Sequence, residues 1–571
     1  MTNILLYSIT AILAAAAFWV LRGRENRVLM YLRHFAAALA VASVVIAFEG
    51  KEAYSIGKLL LAAAVGLGLF FYAPINIFNK FRGGLGKIGI SFGETSGSAG
   101  GEYIRGAKLV NGQQLQKILK KESGSLTVGG QKIPERLEAR HFMLAGSTGV
   151  GKSVAISEML DGIAARGDRV FIADAGGNFL KNYYDEERGD IILNPLDSRA
   201  VSWSPLAEME GPWDADLIAK SIVPDGDGGS KEWNQYAQVI TSAVLKHCWQ
   251  NDLTNFDIFR LAIIANIEEL RMVFEGTPAQ PLVAEGNEKM FGSIRGIVGT
   301  YISPFQYLDP AAGANNGFSL KSIVEDNGAK NWLFFNYPDK QISTVAPIIA
   351  AMTDIVSKSI LSLEADNNRK FWLIIDEFAS VGRISSILDF LTKARKNGGR
   401  AIIGVQTISQ LKSAYGVNDA STLMSCLSSQ IVFRVPDPDT ADIMSRLLGD
   451  QQISRVIQSG GESSQSMQIG GSKSENWSQQ ITTDRIVMTG EIMNFPDLYG
   501  ILNFAGDIPA APIEVEWMER HKVAEHFQAT TRKEIKIAAP AKPAEIQKPT
   551  ETENTAVSDS DLPGVESDDV I

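Results

Sequence analysis

Cysteine is almost missing from this chain of 571 residues, which holds only Cys248 and Cys426. They form no CxxC and no His-paired spacing, which excludes a disulfide scaffold and a zinc knuckle. Both are expected as free thiols in the core. An excess of positive charge is missing too. The formal net charge is −11, so a wholly basic coat for nucleic acid is excluded. The imbalance is uneven: from Ala541 onward there are eight acids and two lysines, −6 of the total. The remaining body is close enough to neutral for a pore or one face to attract phosphate backbones.

Long apolar runs, by contrast, crowd the start of the chain. They cover Asn3–Leu21, Phe35–Phe48 and Leu59–Phe78. The first and third match the roughly 20 residues needed to span the hydrocarbon layer; the middle one is short. No basic n-region or cleavage site accompanies the first, so it does not read as a signal peptide. Arg22, Arg24, Arg27 and Arg33 follow the first run, and Lys80, Arg82 and Lys87 follow the third. This bias predicts three spans with the main body on the cytoplasmic side, two spans being the alternative.

A phosphate-binding motif lies further on, in HFMLAGSTGVGKS. The apolar run Phe142–Ala145 predicts a strand. Gly146, Ser147, Thr148, Gly149, Val150 and Gly151 form a G-x-x-x-x-G loop, and Lys152 and Ser153 open a helix that Gly167 stops. In such a loop the backbone N–H groups and the helix N-terminus face phosphates. Lys152 is expected on the β- and γ-phosphates, and Ser153 on magnesium. A second apolar run, Phe371–Ile375, predicts a buried parallel strand ending in Asp376 and Glu377. Asp376 is expected in the magnesium shell and Glu377 as the group that polarises an attacking water. The next run, Ala401–Val405, ends in Gln406, placed to orient that water or sense the γ-phosphate. The guanine-reading tetrad N-K-x-D is absent, since NKFR at 79–82 lacks the carboxylate. ATP is therefore expected rather than GTP.

Strands recur at 169–174, 332–337 and 430–435, alternating with helices, which predicts a parallel sheet covered on both faces. Between about Trp213 and Leu308 only helical periodicity appears, as in KEWNQYAQVITSAVLKHCWQ. The Ser-, Gly- and Gln-rich stretch 458–480 reads as a loop. The Pro-, Ala- and acid-rich end beyond about Thr530 reads as disordered.

Eight ordered pieces extend this pattern: RGAKLV, EARHFMLAGSTGVGKS, DAGGNF, NPLDSRAVSWSP, WLIIDEFAS, TKARKNGGR, GVQTISQL and IVFRVPDPDT. Over about Arg105–Pro512 the sequence resembles the type IV secretion coupling proteins, the TraD/TrwB class of conjugative DNA pumps related to FtsK and HerA translocases. The resemblance implies an α/β, RecA-like P-loop domain with an inserted all-helical domain, assembled as a homo-hexamer around DNA. It implies a transmembrane anchor, placed at 1–82, the nucleotide-binding domain at 83–206 and 313–518, and the helical insertion at 207–312; composition places an acidic tail at 519–571.

ATP and Mg2+ are the implied cofactors. Implied partners are DNA held by its backbone with little sequence preference, relaxase or relaxosome proteins, secretion channel components and the inner membrane. Active sites in such a ring lie between subunits, each receiving an arginine from its neighbour. Arg395 is the expected residue, with Arg400 and Arg434 as alternatives. Trp233 and Lys231 would lie at the pore mouth, Trp233 chiefly as a core residue. The chain departs from the family pattern in its third span and in Asn178, where an acidic residue is common. A docking receptor with structural ATP, or an FtsK-like chromosomal translocase, are the competing functions.

Overall fold

The computed structural model describes residues 101–226, 228–462 and 473–531. The proposed membrane spans and the end of the tail lie outside them. The strands, in chain order, are β1 (Gly101–Gly106), β2 (Thr127–Val128), β3 (Gln131–Lys132), β4 (Phe142–Ala145), β5 (Arg169–Ala175), β6 (Ile191–Ile192) and β7 (Leu333–Tyr337). They continue with β8 (Phe371–Ile375), β9 (Gly399–Val405), β10 (Ser429–Val432), β11 (Asp450–Glu462), β12 (Lys473–Arg485), β13 (Tyr499–Asn503) and β14 (Ala511–Glu514).

The principal sheet has nine strands in the order β14-β13-β10-β4-β9-β8-β5-β7-β6. Pairings from β10 through β6 are parallel, and β13 and β14 add an antiparallel edge. Strands β4, β8 and β9 are buried along their whole length, as expected of strands covered on both faces. Alternation divides their side chains between two cores. Phe142, Leu144, Trp372 and Ile374 pack with Ile156, Met159, Leu160 and Ile163 of the helix Lys152–Arg166. Met143, Ala145, Leu373 and Ile375 belong to the opposite core, with Ile348, Ile349, Met352 and Val356 of the helix Ile342–Ser362.

That second helix lies in the one described stretch, Asp339–Ser362, that is long and apolar enough to cross a membrane. It is 72% buried within the fold, so its apolar character is accounted for by core packing.

Between β6 and β7 the described chain is helical, including Asp214–Ile222, Lys231–Gln250 and Glu288–Ile302. Ala237, Ile240, Val244 and Cys248 recur at helical intervals and join Phe291, Ile294 and Val298 in one core. Buried Glu208 ties the start of this excursion to its end. Its carboxylate accepts from Trp203 Nε1 (2.7 Å), Leu320 N (2.7 Å) and Ser319 Oγ (3.0 Å).

Four expectations are corrected. The stretch 458–480 is not simply a loop: its described parts belong to β11 and β12, paired in register from Asp450↔Arg485 to Glu462↔Lys473. With β1 they form a separate three-stranded sheet. Backbone pairing holds this ribbon, and its small polar residues give little hydrophobic alternation to read. Trp233 is 38% exposed, edge-on to Tyr236, because it lies near the start of its helix, outside the packed stripe. Cys248 is buried, whereas Cys426 is only partly so, lying at the last residue of the helix Ile408–Cys426.

The fourth concerns residues 519–531, assigned to the tail, which run along the body. Arg520 pairs with Asp161 at 2.6 Å, Asn336 Nδ2 donates to the His526 carbonyl at 2.8 Å, and Thr530 N donates to the Leu196 carbonyl at 2.9 Å.

Candidate functional site

Parallel strands leave their carboxyl ends, and the loops that follow them, on one edge of the sheet. Five of these ends converge here. β4 leads into the loop Gly146–Gly151, β5 into Gly176 and Asn178, β7 into Asp339, β8 into Asp376 and Glu377, and β9 into Gln406. Together they line a cleft of about 510 Å³, within the size range of small-molecule sites.

The loop is anchored at its start. Gly146 N donates to the Val405 carbonyl (3.1 Å) and Ser147 N to the Arg434 carbonyl (3.0 Å). At its end Gly151 takes φ 120° beside Val515 and Leu498, a conformation that disfavours any side chain. Helix Lys152–Arg166 starts directly after it and points its N-terminus into the cleft.

Lys152 is buried, and its Nζ donates to the carbonyls of Gly146 (2.7 Å) and Ser147 (3.0 Å). Burial lowers its pKa, opposed by the charges of Asp376 and Glu377. Ser153 Oγ donates to Asp376 Oδ2 at 2.9 Å. Burial raises the pKa of Asp376, while the Ser153 bond and Lys152 pull it down. Gln406 Nε2 donates to Glu377 Oε2. Burial also raises Glu377, opposed first by Lys152.

β4 and β8 do not adjoin, because β9 is inserted between them. The separation is bridged by side chains, since Ser153 and Asp376 still meet. The intervening strand is also what brings Gln406 beside Glu377.

Asp376 Oδ1 is buried without a hydrogen-bond partner. Beside Ser153 Oγ it supplies the sparse, all-oxygen donor set of a magnesium ion that takes its other ligands from phosphates and water. No group of three or more His, Cys, Asp or Glu placed to hold a metal ion together occurs among the described residues. Asp376 and Ser153 thus fit a metal carried in with a nucleotide.

The expected arginines separate. Arg395 is exposed on the turn Ala394–Asn397, before β9. Gln406 follows the other end of that strand, so about 20 Å of β9 separates them. Arg400 is buried and held by Glu138 (3.1 Å) and the Arg369 and Gly398 carbonyls. Arg434, beside the loop, pairs with Asp497 at 2.6 Å.

Asp174 received no role from the sequence, yet it is fully buried near Asp376, and burial pushes its carboxyl up to about 7. The signal was present: RVFIAD ends an apolar strand in an acid, as WLIID does. Tyr337, Asp339 and Ser380 were missed because they reach the cleft only through tertiary packing.

Residues 125–516 match the family model for the type IV secretion-system coupling protein DNA-binding domain. The coupling protein TraD of Escherichia coli strain K12 is 27% identical over 435 residues, 75% of this chain. The alignment spans about 60% of that relative's own length. Among solved structures, the unbound conjugative coupling protein TrwBdeltaN70 is 32% identical with a TM-score of 0.69, covering 76% of this chain and 99% of that one. TrwB in complex with ADP and Mg2+ is 32% identical with a TM-score of 0.68, covering 77% and 100%. With the cleft, the loop and the acidic pair on a sheet of this kind, the chain belongs to the type IV secretion-system coupling proteins.

Proposed function

We propose that this chain is an ATP-driven DNA translocase of the inner membrane, which receives relaxase-bound DNA and delivers it to a type IV secretion channel. The observation that carries the reading is one cleft in which Lys152, Ser153, Asp376, Glu377 and Gln406 converge. A passive nucleotide clip needs the first three; the Glu377–Gln406 pair is what hydrolysis adds.

Lys152 exchanges the Gly146 and Ser147 carbonyls for β- and γ-phosphate oxygens. Ser153 and Asp376 would hold the metal. Magnesium, when bound with ATP, neutralises charge on the phosphate oxygens. Gln406 holds Glu377 through Oε2, leaving Oε1 to accept the proton of an attacking water. Burial raises the proton affinity of Glu377, which strengthens it as a base. Arg395 lies too far along β9 to reach its own cleft and is assigned to a neighbour's site in a ring of six. Arg400 and Arg434 are already committed to Glu138 and Asp497.

The proposed organisation follows the family except in the number of spans. Residues 1–82 form the anchor, with three spans, and 83–206 with 313–518 form the motor. Residues 207–312 form the helical insertion, and 519–571 the acidic tail, whose first part, to 531, lies along the body. DNA is gripped by its backbone, so sequence preference is slight. TrwB was also solved with a GTP analogue, so both nucleotides belong in the assay.

Glu377→Gln tests the reading. Hydrolysis and DNA transfer are expected to fall by about 100-fold or more, with nucleotide binding and relaxase docking retained. Unimpaired transfer would leave a docking receptor with structural ATP as the function.

A further inference from the structure

The helix that follows Gln406 begins at Ile408, capped by Thr407, and is helical as far as Tyr415. At Gly416 the backbone leaves helical geometry (φ 77°, ψ 167°) before the helix resumes. Tyr415 is 2% exposed and stacks on Phe378, with ring centroids 5.2 Å apart and planes 12° apart. Phe378 directly follows Glu377.

The Tyr415 hydroxyl accepts from Ile384 N (3.1 Å) and donates to the Gly382 carbonyl (3.3 Å). Arg383 closes the arrangement from the other side. Its Nη1 donates to the Tyr415 carbonyl (3.3 Å) and its Nη2 pairs with Asp419 (2.7 Å). Within the clamped segment, Ser380 donates to the Glu377 carbonyl through N (3.2 Å) and Oγ (2.8 Å).

These contacts form a closed circuit. It runs from Glu377 to Phe378, across the stack to Tyr415, back along two helical turns to Gln406, and through the hydrogen bond that its Nε2 donates to Glu377. The helix break at Gly416 isolates those two turns as one short lever. The β8 and β9 extensions are thus joined at the reacting end by Gln406 and Glu377 and, two turns on, by the contacts of Tyr415 and Arg383.

We propose that Tyr415 is a positioning residue for hydrolysis, clamping the segment after β8 to the helix after β9 so that Glu377 and Gln406 are held in register. The inference rests on the reading of Glu377 as the base. It requires no contact between Tyr415 and the nucleotide.

The test uses the full chain in lipid nanodiscs, with steady-state ATP hydrolysis and nucleotide affinity measured separately. Tyr415→Leu keeps an apolar side chain, smaller than the ring, and removes the stack and both hydroxyl bonds. It is expected to lower kcat about 10- to 100-fold, the cost of displacing a catalytic group, with KM and affinity within about 2-fold. Tyr415→Phe keeps the stack and is expected within about 5-fold of wild type. In an E377Q background, Y415L is expected to remove nothing further, because its effect passes through Glu377.

Three outcomes overturn the proposal: wild-type kcat in Y415L, loss of nucleotide affinity in parallel with kcat, or an equal loss from Y415L in both backgrounds. The supporting reading fails separately, if E377Q alone hydrolyses at the wild-type rate.

Discussion

Asp174 offers a test of the buried charge that does not depend on turnover. Its side chain is fully buried at the end of β5, with Oδ1 unpartnered and Oδ2 accepting from Leu180 N at 2.7 Å. Burial is the main cause of its raised pKa of about 7; bonds from the backbone of residues 178–180 oppose it, and nearby Asp376 adds to it. An unfolded aspartate titrates near 3.9.

The folded state therefore binds the proton more tightly, and stability falls as pH rises from about 4 to about 7. The integrated penalty is about 4 kcal/mol, fully present above pH 7 and absent below pH 4. Asp174→Asn keeps an acceptor for Leu180 and removes the charge. With an unfolding entropy of about 2 cal/mol/K per residue over about 420 described residues, the variant should melt about 4–5 °C higher at pH 8. At pH 4 the two proteins should melt together. Differential scanning fluorimetry of the nucleotide-free full chain across pH 4–8 measures the difference directly. Parallel curves with no divergence would refute the assignment of a buried, titrating carboxyl at the end of β5.

The arginines provide a contrast. Arg400→Ala leaves Glu138 with Arg166 as its partner (2.7 Å) but takes a buried donor from the Arg369 and Gly398 carbonyls, and should cost about 1–3 kcal/mol of stability. Arg395→Ala, at an exposed turn, should stay within about 0.5 kcal/mol, yet lower hydrolysis by about 1,000-fold once rings assemble; equal melting losses in the two would contradict this division. Gly404→Ala should damage the site without touching a catalytic side chain. A Cβ there collides with the Asp376 carbonyl, forcing β8 and β9 apart at their reacting ends. Metal-dependent nucleotide binding is the measurement, and retention of wild-type affinity and rate would rule out that close approach.

Local chemistry made much of this site legible. The loop at 146–151, the helix N-terminus, and the acids ending an apolar strand are contiguous patterns, and each reports its own conformation. The parallel sheet and the helical excursion were legible for the same reason, because periodicity is a short-range property. Arg395 and Arg400 looked alike in TKARKNGGR, since five residues of spacing say nothing about which side chain finds a buried carboxylate.

What the chain alone determined was therefore the inventory: a phosphate cradle, two acids, a glutamine, and strands buried on both faces. Tertiary structure decided the order of the strands, with β9 between β4 and β8, because order depends on crossovers spanning hundreds of residues. It also decided that Asp174 is a buried acid and that Tyr415 meets Phe378. Burial and contact belong to the packed whole, and no segment carries them before it folds.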